Sequence, residues 1–282
     1  MKFFRPVARC LLWAALTAVI FLASCQSKLM YYPKPYGAAE LGNIDKLGGR
    51  RIEVKTSQGR QVAFYLPSRK SSAQAPEYLW LVFGGNGSLS LDYLNEAQGW
   101  DTRFGYLFID YPSYGLCEGS PNPKRVEESI MALTKKLQTE LRWSDGQFRA
   151  RTGVFGHSLG CAAGLIAMEQ LDLRSAVLCA PFTTMTDMAR RVVGWPICYI
   201  NRHRYDNIAR LTVLETRGAQ VRIFHGQDDG AIRVTMSRTL AERFPRTVRL
   251  VEVPNAGHDD VVSAASAEIG YSMRDLAAPS AR

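Results

Sequence analysis

The chain has 282 residues, of which 46% are hydrophobic and 22% charged, the proportions of a globular protein with a sizeable core, built as one large α/β domain or two small ones. Its formal net charge of +9 is not gathered into a Lys/Arg block with interleaved aromatics, and no zinc-finger spacing accompanies it, which excludes a nucleic-acid-binding module. An excess of cations spread over a whole domain suits an anionic membrane surface or anionic substrates.

Residues 1–9, MKFFRPVAR, form a short basic region, and residues 10–23, CLLWAALTAVIFLA, an apolar run of 14. That run falls short of the ~20 residues a membrane-spanning helix needs and has the length of a signal-peptide core. It ends in Leu22-Ala23-Ser24-Cys25, which resembles a bacterial lipobox. The resemblance implies a signal peptide over residues 1–24, cleavage before Cys25, acylation of Cys25 and a membrane-anchored lipoprotein. Gln26, a residue other than Asp, implies sorting to an outer membrane, facing the periplasm. Loss of Lys2, Arg5 and Arg9 would leave +6 on the mature chain. Among Cys117, Cys161, Cys179 and Cys198 no spacing resembles a zinc site. An exported compartment permits a disulfide, so one bridge and four buried thiols both stay open.

Residues 25–48 read as a tether and lead-in, because Lys, Pro and Gly break any periodicity. RRIEVKTSQGRQVAFYLP (50–67) reads as a hairpin around a Ser-Gln-Gly turn. EYLWLVFGG (77–85) and YLFIDYPSYG (106–115) are almost continuous apolar runs, as in strands buried on both faces of a parallel sheet. Val126, Ile130, Leu133, Leu137 and Leu141 recur every three to four residues and predict an amphipathic helix over 123–143. ARTGVFGHS predicts a strand and LGCAAGLIAMEQL the next helix. SAVLCAPF, VRIFHGQDD and VRLVEVPNAGH predict three more strands, with AIRVTMSRTLAERF as a helix between the last two. Alternating strands and helices predict a mostly parallel sheet flanked by helices, in one α/β domain over residues 49–275, with 276–282 as a tail.

In such a sheet the reacting groups gather beyond the carboxyl ends of the strands. The ARTGVFG strand delivers Ser158 there within Gly-His-Ser-Leu-Gly, a G-x-S-x-G elbow that exposes the hydroxyl on a sharp strand-to-helix turn. VRIFHGQDD delivers Asp228 and Asp229, and VRLVEVPNAGH delivers His258. A serine hydroxyl needs a base within hydrogen-bond reach, and the base needs a carboxylate to fix its tautomer. Of the four histidines only His258 stands at a strand end in the order Ser, Asp, His. His157 is directed away from the serine, His203 lies in an irregular segment, and His225 is packed within a strand.

Gly-His-Ser-Leu-Gly, His-Gly-Gln-Asp-Asp and Ala-Gly-His together resemble the α/β-hydrolase superfamily. The resemblance implies the α/β-hydrolase fold and selects Asp229 as the acid, with Asp228 as the alternative. FGGNG (83–87) resembles the segment that lends a backbone N–H to the oxyanion hole, with Gly84 in place of the usual His. This implies Asn86 and Leu159 as the two donors. A phosphate-cradling role for the same glycines lacks the third glycine of a dinucleotide fingerprint. MYYP, FIDYPSYGLCEGSP, PFTTMTDMA and RYDNIARL resemble the branch of membrane-associated abhydrolase-domain proteins, which implies an ester or thioester substrate, including acyl lipids and lipidated molecules. No metal or organic cofactor is implied.

The long insertion at 183–212 implies a lid. Its Met185, Met188, Val192, Val193, Trp195, Ile197, Tyr199 and Ile200 would form an acyl pocket, with Arg190, Arg191, Arg202 and Arg204 as a basic rim. The alternative is an ordinary cap over the core. Two other functional readings stay open at this stage: a serine aminopeptidase of the same superfamily, for which no anionic group to hold a free amine stands out, and a non-catalytic surface lipoprotein.

Overall fold

The computed structural model describes residues 26–28, 30–70 and 75–278, with Trp13 and Thr17 as isolated positions. The lipobox with Cys25, and residues 279–282 of the expected tail, lie outside the described residues. The hairpin is formed by β1 (Arg50–Thr56) and β2 (Gly59–Leu66), paired antiparallel. The apolar runs become β3 (Tyr78–Phe83), β4 (Phe104–Ile109) and β5 (Thr152–His157), each buried at every position. β6 (Ser175–Cys179), β7 (Gln220–Gly226) and β8 (Val248–Val253) complete an eight-stranded sheet of order β1-β2-β4-β3-β5-β6-β7-β8. β2 meets β4 antiparallel, and every pairing from β4 to β8 is parallel. Near-continuous apolar strands are what burial on both faces of a parallel sheet demands. β1, at the edge, carries Arg50, Arg51, Glu53 and Lys55, charges that discourage pairing with another chain.

Both faces are covered. On one lie α3 (Pro123–Glu140), α5 (Leu159–Leu171), α7 (Asn207–Thr216) and α8 (Val234–Arg243). On the other lie α1 (Ala38–Lys46), α2 (Leu94–Trp100) and α10 (Ser266–Ala277). The remaining helices are α4 (Asp145–Ala150), α6 (Met185–Val193) and α9 (Val261–Ala264). α3 buries Val126, Ile130, Leu133 and Leu137 as their spacing predicts. It begins where the Asn122 side chain accepts the Arg125 N–H at 2.9 Å and Pro123 fills a position whose N–H has no helical partner. α5 is buried along its first ten residues, LGCAAGLIAM, so its side chains are apolar all round rather than striped.

The structure departs from the sequence reading in three places. First, β4 ends at Ile109, and the aromatic run continues as turns with Ser113 and Gly115 at φ 75° and 56°. The tyrosines there act through their hydroxyls: Tyr111 donates to the Gly84 carbonyl at 2.6 Å and Tyr114 to the Asn86 carbonyl at 2.5 Å. Second, the segment expected as a free tether is fixed to the domain. Tyr31 is buried and its hydroxyl meets that of Tyr205 at 2.9 Å, and Ile44 of α1 is fully buried. Burial of these two side chains is the apolar gain that a solvated tether would forgo. Third, α10 runs on to Ala277, two residues into the expected tail, with Leu276 buried. The four described cysteines are buried free thiols.

Candidate active site

β5 delivers Ser158 at the first step of α5, with φ 55° and ψ −117°. A non-glycine residue is rarely held at positive φ, and such strain persists only where the surroundings enforce it. They do so by close packing. A Cβ on Gly156 would lie 2.4 Å from the Gly160 carbonyl oxygen, and one on Gly160 would lie 2.2 Å from that of Phe83. The two glycines of the pentapeptide let α5 press against β3 and β5 and turn the serine outward.

The loops after β7 and β8 bring the partners. His258 Nδ1 is 2.7 Å from Asp229 Oδ2, and His258 Nε2 is 3.0 Å from Ser158 Oγ. A carboxylate only accepts, so Nδ1 carries the proton and Nε2 is left to accept the serine O–H. Asp229 Oδ1 also receives the Ala231 and Ile232 N–H groups at 2.8 and 2.7 Å. Burial opposes ionisation of this carboxyl, but donors from His225, His258 and the Ile232 N–H outweigh it and hold Asp229 far below the usual carboxylate range. Asp228, the alternative acid, is exposed, with its N–H bound to the Ala256 carbonyl.

Two further histidines support this arrangement, and sequence reasoning had set both aside. His225 is fully buried, with Nδ1 2.6 Å from Ser237 Oγ and Nε2 2.8 Å from the Ile232 carbonyl and 3.2 Å from Asp229 Oδ2. His157 does point away from the serine, but to a purpose. Its Nε2 lies 2.9 Å from the His258 carbonyl, which only accepts, so Nε2 carries the proton. Nδ1 then accepts from the Tyr93 hydroxyl at 2.8 Å. Burial, reinforced by the neighbouring His258, lowers the His157 pKa to about 4, so the ring stays neutral and this polarity is fixed. The signal for His157 was its place in the elbow; nothing in the sequence marked Tyr93.

Ser158 and His258 line a cavity of about 400 Å³, within the range of small-molecule sites. Asn86 and Leu159 line the same cavity, and neither main-chain N–H donates to another group among the described residues. The Asn86 loop is held by the Tyr111 and Tyr114 hydroxyls and by the Tyr32 N–H, 3.0 Å from the Asn86 carbonyl. Most of the rest of the wall is apolar: Phe182, Ile232, and Met185, Met188, Val192, Val193, Ile197 and Ile200 from the insertion, with Asn201 as a polar member. Trp195 and Tyr199 do not line it, contrary to the expectation, and are 75% and 52% exposed. The insertion leaves and rejoins the domain through a bridge between Thr184 and Asp206, with the Met185 N–H on the Tyr205 carbonyl at 2.8 Å. Its excursion is thus shorter than 183–212, because α7 already packs on the core. Gln26 also lines the cavity. Among the described residues no group of three or more His, Cys, Asp or Glu side chains is placed to hold a metal ion.

A mostly parallel sheet covered on both faces, with a serine elbow after β5, an acid after β7 and a histidine after β8, is the α/β-hydrolase fold. No family model matches the chain. It is 27% identical over 262 residues to an uncharacterized protein of Mycobacterium tuberculosis, covering 90% of this chain and 88% of that one. It is 26% identical over 212 residues to the human alpha/beta hydrolase domain-containing protein 17B, covering 74% of this chain and 68% of the relative. Among solved structures, the Pyrococcus furiosus esterase Pf2001 superposes with a TM-score of 0.66 at 13% identity, over 88% of this chain and 99% of the esterase. The structural likeness establishes the fold, and the sequence relatives support the α/β-hydrolase superfamily.

Proposed function

We propose that this chain is a serine hydrolase that cleaves an acyl ester or thioester through an acyl-enzyme. The observation that carries the reading is the hydrogen-bonded series Ser158 Oγ, His258, Asp229, with Ser158 and His258 lining a mostly apolar cavity. As Ser158 Oγ bonds to the acyl carbonyl carbon, its proton passes to His258 Nε2. The oxyanion that forms is stabilised by the main-chain N–H groups of Asn86 and Leu159. Its collapse breaks the bond to the leaving oxygen or sulfur, which takes the proton from His258. Water then attacks the acyl-serine by the same route in reverse. Asp229 keeps the proton on Nδ1 and stabilises the imidazolium. The cavity wall contains no carboxylate among its described residues, so it supports an uncharged acyl group over the free amine of an aminopeptidase substrate.

We also read residues 1–24 as a signal peptide and Cys25 as the lipidated first residue of an outer-membrane lipoprotein, on the sequence pattern alone. Labelling with a fluorophosphonate probe tests the catalytic reading: the native chain should label and Ser158→Ala should not. A panel of p-nitrophenyl esters and thioesters of graded chain length then defines the acyl group. An unlabelled native chain that turns over none of them would sink the proposal. Incorporation of labelled palmitate, abolished by Cys25→Ala, tests the anchor separately.

A further inference from the structure

The insertion that walls the cavity also carries an apolar surface on its outside. Val192 is 81% exposed, Trp195 75% and Tyr199 52%, all within one short stretch. Val192 also lines the cavity, so the cavity opens on this face. Between residues 183 and 204 stand four arginines, Arg190, Arg191, Arg202 and Arg204, against a single carboxylate. That carboxylate, Asp187, accepts from the Thr183 and Thr184 hydroxyls at 2.7 and 2.8 Å and pairs with Arg190 at 3.3 Å, which leaves Arg191, Arg202 and Arg204 without a carboxylate in the insertion. The insertion therefore exposes large apolar side chains and carries a net positive charge. Aromatic and aliphatic side chains that reach the headgroup boundary, flanked by cations that pair with lipid phosphate, are the recognition chemistry of an anionic bilayer.

A second observation points the same way. The Gln26 side chain donates to the Ile200 carbonyl at 2.9 Å and accepts from the Arg202 N–H at 2.7 Å, and Ser27 Oγ is 3.2 Å from His203 Nε2. Residues 26 and 27, next in sequence to Cys25, the residue read as lipidated, are thus held on the insertion itself. Whatever membrane attachment the N-terminus provides is applied at the arginine-rich face.

We propose that this face docks on an anionic phospholipid bilayer, with Val192 and Trp195 entering the headgroup boundary and the four arginines meeting lipid phosphates. The cavity mouth then faces the acyl chains. That use of the docked face, the delivery of lipid acyl groups to Ser158, rests on the hydrolase reading; the docking itself does not.

The test uses the full chain with Trp13→Phe, mixed with vesicles of equal parts phosphatidylcholine and phosphatidylglycerol whose acyl chains are brominated. Of the remaining tryptophans, Trp80, Trp100 and Trp143 are buried, so contact quenching reports Trp195. The expected result is strong quenching, mostly lost on adding Trp195→Phe, and weakened when Arg190, Arg191, Arg202 and Arg204 are changed to Gln or when phosphatidylglycerol is omitted. A chain that floats with the vesicles but shows equal quenching with and without Trp195→Phe overturns the docking. So does a Trp195 shielded by a second copy of the chain, seen as a dimer with no quenching. Fluorophosphonate labelling of Ser158, measured on the same samples, keeps a failure of the hydrolase reading separate from either outcome.

Discussion

Ser158 is held at a positive φ, hydrogen-bonded through His258 to an acid that receives four donors, and these three residues should fail as a unit. Ser158→Ala and His258→Ala should each remove nearly all esterase activity, with the double variant little worse than either. Asp229→Asn should cost roughly 10³–10⁴-fold in kcat by favouring the wrong tautomer of His258, whereas Asp228→Asn at the exposed neighbour should change little. Steady-state rates on one p-nitrophenyl ester check all four, and a crippled Asp228→Asn would reassign the acid. His157 and Asp110 make a second test, in pH. His157 is held neutral down to about 4, while in the unfolded chain it takes a proton near 6.5. Between those values the unfolded state binds more protons, so this residue makes stability fall as pH drops, by roughly 3 kcal/mol across the window. Asp110 is pushed by burial up to about 6 from an ordinary 3.8, despite the Tyr36 hydroxyl at 2.6 Å. There the folded state binds more protons, so stability falls as pH rises through the same region. The two slopes oppose each other between about 4 and 6. His157→Gln should therefore leave a chain that gains stability on acidification in this window, and Asp110→Asn one that loses it. Urea midpoints against pH decide the matter, and two variants tilting the same way would contradict the assignment.

The elements differ sharply in how much change they tolerate. At the elbow the neighbours of a new Cβ are backbone atoms of Phe83 and Gly84, which cannot move without opening β3 from α5. Gly160→Ala should cost more than about 3 kcal/mol or prevent folding. Gly42, inside α1, has nothing within 4 Å of its added Cβ, and Gly42→Ala should gain about 0.5–1 kcal/mol. Thermal melts of the two variants separate them, and equal effects would mean the close approach at the elbow is not real. At the cavity wall, α6 contributes Met188 to the enclosure that Ser158 also lines. A larger side chain there, Met188→Trp, should fill space used by an acyl group, sparing acetyl esters while lowering kcat/KM for octanoyl and longer ones. A uniform loss across chain lengths would show that Met188 supports the wall without shaping the occupant.

Across the whole molecule, the sequence was most readable where one physical rule acts on adjacent residues. The buried strands read as apolar runs, α3 as a period of three to four, and Ser158, Asp229 and His258 as residues that follow β5, β7 and β8 in order. What stayed hidden depends on partners far apart in the chain. Tyr93 meets His157 across 64 positions, and Gln26 meets Ile200 across 174. α1 contains two polar breaks and buries only Ile44, so no periodicity announced it. One consequence concerns how such a chain changes over generations. The backbone departs at Thr184 and returns at Asp206 across a single β-bridge, so the sheet experiences residues 185–205 as a closed excursion hung on a fixed hinge. Insertions, deletions or replacement between those two points should leave the strand order and the spacing of the reacting groups intact, provided Tyr205, buried against Tyr31, is kept. Selection is free to redraft the vestibule while the machinery behind it is inherited unchanged, which makes this the natural seam for grafting the vestibule of a relative onto this frame.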